Sequence, residues 1–178
     1  MKLENVIIQA TIETDRLCLR PLAKSDAGLV EMFASDKRVA DMTTSIPHPL
    51  PPGSTAGLIE RALAPGRMED VWVIDGRDRQ NTLMGLISLE RMDREQSEIG
   101  YWVAPVYWNT GIASEAVEAL IAENPQSSRT IFGSVFQDNP ASARVLTNAG
   151  FVYIGDAEAF SVARNSTVRT WTYIKKLD

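Results

Sequence analysis

Hydrophobic residues first take up a readable rhythm at Arg16-Leu17-Cys18-Leu19-Arg20-Pro21, where polar and apolar positions alternate as in a strand with one buried face, closed by Pro21. Ser25 then offers an N-cap for a helix with Leu29, Val30, Met32 and Phe33 on its inner side. Four of the nine prolines crowd into Ile46 to Pro52, which excludes a continuous helix or a central strand there and predicts a loop between two helices. Ser54 caps the second helix, which carries Leu58, Ile59, Ala62 and Leu63 and stops at Pro65-Gly66.

The pattern then changes. Val71 to Ile74, Leu83 to Leu89 and Glu98 to Val103 are rich in β-branched and aromatic residues, and are separated by Asp75-Gly76-Arg77-Asp78 and Asp93-Arg94-Glu95. They predict a three-stranded antiparallel meander. From Gly111 to Glu123, Ile112, Ala116 and Leu120 recur at four-residue spacing, as do Ala113, Val117 and Ile121, predicting an amphipathic helix ended by Asn124-Pro125. Thr130 to Phe136 reads as a strand, Asn139 to Ala149 as a helix, Phe151 to Ile154 as a strand after Gly150, and Thr167 to Lys175 as the last strand. Such an order of elements makes a mixed sheet in an α+β or α/β fold, expected as one domain over residues 1–178.

Composition narrows the chemistry. The chain has 178 residues, 44% of them hydrophobic, with one Cys (Cys18) and one His (His48). An intrachain disulfide is therefore excluded, a Cys/His zinc site would have to be mostly carboxylate, and a catalytic triad would depend wholly on His48. A net charge of −5 argues against a nucleic-acid-coating protein and tolerates a cationic substrate. The sixteen uncharged residues Ile99 to Ser114 include Pro105, Asn109 and Gly111 and fall short of the roughly 18 apolar residues of a membrane span. Met1 to Thr11 carries Glu4, has Lys2 as its one cation and lacks a small-residue cleavage pattern, so no signal peptide is expected. One unpaired Cys fits a reduced, cytoplasmic setting.

Two segments carry candidate chemistry. Val103 to Ala116 runs from a strand through a short loop into a helix, and a helix start presents unpaired N–H groups and partial positive charge to an anion such as a pyrophosphate. Gly111 permits close backbone approach; the plainer reading is a tight turn with Thr110 as a cap. In Gln137 to Phe151, Asn139-Pro140 forms a helix start and Gly150 a stop, which capping alone explains.

Together, and in this order, the two segments resemble the acetyl-CoA-binding region of GNAT superfamily N-acetyltransferases, in particular the Rim-type branch that includes acetylases of ribosomal-protein N-termini. The resemblance rests on Gly111-Ile112-Ala113, on Asn139, Ser142, Gly150 and Phe151, and on the opening Thr14-Asp15-Arg16-Leu17-Cys18-Leu19-Arg20-Pro21-Leu22. It implies a mostly antiparallel, splayed central sheet flanked by helices. It also implies acetyl transfer from acetyl-CoA, without a metal, to a primary amine on a protein N-terminus, an amino acid or a small amine. Two departures stand out: Trp108-Asn109-Thr110 replaces the family's Gly and basic residues, and Leu146 occupies the position of a tyrosine proton donor. They also suit a catalytically degenerate acyl-CoA-binding module.

The resemblance further implies site residues. Val103, Trp108, Asn109, Thr110, Gly111, Ile112, Ala113, Asn139 and Ser142 would meet the cofactor, with an oxyanion donor near Val103 on a bulged strand. Glu98 would be the general base, or else a solvated strand carboxylate, and Ser142 would serve the leaving thiolate, or else only the helix start. His48 and Tyr101 are candidate acceptor contacts. No nucleic-acid or membrane partner is expected, and a homodimer is compatible with the reading.

Overall fold

Each segment with strand periodicity enters one sheet of the computed structural model, which describes residues 9–77 and 82–177. The strands are β1 (Ile12–Glu13), β2 (Leu17–Pro21), β3 (Glu69–Gly76), β4 (Leu83–Met92), β5 (Gln96–Val103), β6 (Thr130–Phe136), β7 (Val152–Ser161) and β8 (Ser166–Lys176). The helices are α1 (Ala27–Ala34), α2 (Lys37–Ala40), α3 (Ser54–Leu63), α4 (Ile112–Glu123) and α5 (Pro140–Asn148). In space the sheet runs β1-β2-β3-β4-β5-β6-β8-β7. All neighbours are antiparallel except β5 and β6, which are joined through α4, since a parallel pair needs a long crossover. The α+β architecture and the β3-β4-β5 meander are therefore as predicted. Asp78 of one expected turn, and residues 1–8 of the N-terminal segment, lie outside the described residues.

The sheet has a core on each face. Ile112, Ala116, Val117, Leu120 and Ile121 of α4 pack with Ile99 and Val103 of β5 and Ala143 and Leu146 of α5 on one face. On the other, Val30 of α1 and Ile59 and Ala62 of α3 cover Val71, Val73, Leu83 and Leu86. Burying each such large side chain stabilises the fold by roughly 1.5–3 kcal/mol. Side chains alternate along β5, so Tyr101 and Val103 face α4 and α5, whereas Trp102 faces α1 and α3.

Several local expectations are corrected. Ser25 does not cap α1: a 3-10 turn, Lys24–Asp26, leads in, and Asp26 instead accepts bonds from Ala23 N–H and the Arg20 guanidinium. Ser54 is the first residue of α3, preceded by Gly53 at φ 82°. Leu29 and Met32 are exposed because the buried side of the short α1 is Val30 and Ala34, and Leu63 is exposed as the last residue of α3, which buries Ile59 and Ala62. Cys18 is half-buried, on the face of β2 opposite to the core residues Leu17 and Leu19. The strand expected at Phe151 to Ile154 runs on to Ser161 as β7, since pairing with β8 overrides the poor strand propensity of Gly155 to Ala159.

Candidate active site

The parallel pairing of β5 and β6 runs from Gln96–Thr130 to Ile99–Gly133 and then ends, although β5 continues to Val103 and β6 to Phe136. The two strands part like a V. The gap is the mouth of a cleft of about 860 Å³, within the range of small-ligand sites. Its walls include Ala113 and Ser142 from the α4/α5 side and Met42 and Leu58 from the α1/α3 side, so it passes through the sheet.

At the end of β5 the backbone itself faces the gap. Ala104 N–H donates to the Met84 carbonyl at 2.8 Å, and alternation in an antiparallel ladder turns the neighbouring Val103 N–H away from β4, towards the side that β6 has left. The expected bulge is absent from the ladder, whose register runs unbroken from Met92–Gln96 to Gly85–Val103. A different distortion occurs there. β4 and β5 approach so closely that a Cβ on Gly85 would lie 2.1 Å from the Trp102 carbonyl oxygen. The Val103 carbonyl accepts from Trp108 Nε1 at 2.6 Å, which fixes the indole as a wall of the cleft.

On the α4/α5 side, α4 begins without a side-chain cap. The Thr110 hydroxyl donates to the Tyr107 carbonyl rather than capping, which leaves the first N–H groups of α4 free for an anion. Asn109 at φ 60° and Gly111 at φ 78° both take left-handed conformations, which Asn tolerates better than most residues. At α5, Asn139 Oδ1 accepts from Ser142 N–H at 3.3 Å. Ser142 Oγ donates to Tyr101 Oη at 2.8 Å, and Tyr101 Oη donates to the Ser142 carbonyl at 2.9 Å. Tyr101 thus lines the cleft on this side of the sheet, and burial pushes its phenol up to about 12. Leu146 is in the core against Gly133.

On the α1/α3 side, Glu98 stands opposite Glu90, and Glu90 opposite Glu69. Directly opposed residues share a face, so three carboxylates form a row across three strands, and all three line the cleft. None of them forms an ion pair among the described residues. The Glu98 side chain is open to solvent, yet the protein around the cleft, and after it the charges of Glu90 and Glu69, hold its carboxyl above the ordinary glutamate range. His48 does not line the cleft; its Nδ1 is buried without a partner among the described residues.

Sequence reasoning passed over Glu69, Glu90 and Arg164. Arg164, in the β7–β8 turn, donates from Nε to the Asp41 carbonyl at 2.8 Å and from Nη1 to Asp138 Oδ2 at 2.6 Å, tying the loop after α2 to the turn before α5. Its guanidinium holds the Asp138 carboxyl below the usual range.

The profile of the acetyltransferase (GNAT) domain family matches residues 16–152. The chain belongs to the GNAT acetyltransferase family. The uncharacterized N-acetyltransferase YoaA of Bacillus subtilis is 28% identical over 145 residues, 79% of this chain and 81% of its own. A RimL ribosomal-protein alpha-N-acetyltransferase solved with coenzyme A superposes with a TM-score of 0.82 at 18% identity, covering 95% of this chain and 99% of that one. Spermidine N-acetyltransferase from Vibrio cholerae, solved with CoA and spermine, gives 0.74 at 17% identity, covering 90% and 96%. As a GNAT enzyme the protein takes its acetyl group from acetyl-CoA. The uncapped start of α4 and the αL backbone at Asn109 fit the diphosphate of that cosubstrate. Among the described residues no cluster of three or more His, Cys, Asp or Glu side chains could hold a metal ion.

Proposed function

We propose that this GNAT acetyltransferase acetylates a primary amine on a molecule bearing more than one positive charge, such as a linear polyamine, with acetyl-CoA and the amine approaching from opposite faces of the sheet. The row Glu69-Glu90-Glu98 carries this reading: directly opposed residues have Cβ atoms about 4.5–5.5 Å apart, so the row offers successive carboxylates to ammonium groups separated by a few methylenes. Both acceptor classes named for the structural neighbours, a ribosomal protein's α-amine and a polyamine, are primary amines. The unneutralised row favours the second.

Glu98 accepts a proton from the bound ammonium, directly or through one water, and the freed nitrogen attacks the thioester carbonyl carbon. The oxygen gains negative charge and is met by the Val103 N–H. As the carbonyl re-forms, the C–S bond breaks, the extra proton still on the nitrogen passes to the departing thiolate, and Ser142 Oγ turns its hydroxyl proton from Tyr101 Oη to that sulfur. No protein nucleophile takes part, in keeping with a chain holding one Cys and one His.

Thiol release across an amine panel tests the reading. Polyamines should exceed matched monoamines in kcat/KM by at least about tenfold, equal to roughly 1.4 kcal/mol of transition-state binding. Equal rates for both, or turnover confined to peptide N-termini, would overturn it. Ser142→Ala should lower kcat about tenfold and leave the KM for acetyl-CoA within about twofold; an unchanged kcat would reduce Ser142 to its place in the helix start. At about 100 times its dissociation constant, acetyl-CoA should stabilise the fold by about 2.7 kcal/mol, read as a rise in melting temperature.

A further inference from the structure

We infer that Arg16 is a positioning residue for the diphosphate loop, acting from behind it and replacing the basic residue missing from Val106 to Thr110. Arg16, at the turn between β1 and β2, donates from Nη1 to the Thr110 carbonyl at 2.9 Å, a bond that joins residues 94 apart in sequence. Its Nε donates to Glu115 Oε2 at 2.7 Å, and Glu115 belongs to the first turn of α4. The guanidinium fork therefore joins the last carbonyl of the loop to the helix that follows it.

Peptide geometry gives this bracket its consequence. In a planar trans peptide the C=O and the next N–H point in opposite directions. With the Thr110 carbonyl drawn towards Arg16, the Gly111 N–H is turned away from it. Thr110 and Gly111 line the cleft and Arg16 does not, so that N–H is turned to the side where the diphosphate binds. A Cβ on Gly111 would lie 3.4 Å from Arg16 Nη2, an ordinary contact, so glycine there answers to its φ of 78° rather than to space for the fork. The Arg16 side chain is 52% exposed, and an exposed ion pair adds little to stability, so its effect falls on the orientation of one peptide rather than on the fold.

Arg16→Ala should raise the dissociation constant for CoA, measured by calorimetry, about tenfold. Glu115→Gln should act in the same direction, and the double variant should bind no worse than Arg16→Ala, because both remove one bracket. Turnover of S-acetylpantetheine, which has no diphosphate, should stay within about twofold of the wild type, which separates a misaligned loop from a damaged fold. The salt dependence of CoA binding should keep its slope, since Arg16 does not touch the phosphates. Unchanged CoA affinity, or equal losses with both thioesters, would overturn the inference. So would a flattened salt slope, which would mark a direct phosphate contact.

Discussion

Glu98→Gln is expected to lower turnover at pH 7 by about two orders of magnitude, the lower end of what a positioned general base contributes. The amine arrives as an ammonium ion, and Gln, which is isosteric but cannot take a proton, leaves it so. Raising the pH deprotonates the amine in solution, and the deficit should shrink. The acid limb of the wild-type pH profile should follow the raised Glu98 carboxyl, whose first cause is desolvation and whose second is Glu90. Glu90→Gln removes one of the like charges, lowers the Glu98 value and should move that limb to lower pH. A pH profile of Glu98→Gln parallel to the wild type at all pH values would count against the base.

Stability should move the other way. A carboxyl raised on folding favours the native state below the unfolded glutamate value, about 4.3, and loses that contribution as the pH rises through its folded value. At pH 7 the wild type therefore carries the full penalty of a crowded carboxylate, which Gln lacks. Glu98→Gln should melt higher than the wild type at pH 7, with the difference vanishing near pH 4. A slower but more stable variant cannot owe its slowness to unfolding.

Gly85→Ala should damage both fold and chemistry. Its methyl would sit 2.1 Å from the Trp102 carbonyl oxygen and 2.9 Å from Val103 Cα, both backbone atoms that cannot swing aside like a side chain. β4 and β5 must separate at the point where the Val103 N–H is aimed into the gap. Overpacking of this kind costs about 1–3 kcal/mol, and loss of an oxyanion donor costs about 10²–10³ in kcat. Thermal melting and single-turnover kinetics would read the two separately. A kcat within threefold of the wild type would remove Val103 from the reaction.

The elements that sequence alone predicted are those written in short-range pattern. The four-residue spacing of Ile112, Ala116 and Leu120 specifies a buried helix face whatever lies opposite, and Asn139-Pro140 starts α5 by its own geometry. Where two neighbouring groups compete, pattern fails: Ser25 lost the lead into α1 because Arg20, five positions earlier in the chain, fixes the Asp26 carboxylate. The residues proposed to meet acetyl-CoA could be named from sequence because they lie in two contiguous segments. Of the acidic row only Glu98 was named, through the resemblance; Glu69 and Glu90 were not, because the three meet only through strand register. A partial signal existed, since the turn at Asp93-Arg94-Glu95 sets Glu90 opposite Glu98 once the hairpin is drawn. Nothing local to Arg16 or Arg164 announces a partner so far along the chain.

The passage of the cleft through the sheet gives the enzyme two separately adjustable halves. Along β5, Tyr101 and Val103 face α4 and α5, the side proposed for the thioester, while Glu98, Gly100 and Trp102 face the side proposed for the amine, so on that reading neighbouring codons serve different ligands. Acceptor preference can drift, in evolution or by design, through changes at alternate positions of one strand, with the donor half left as it is.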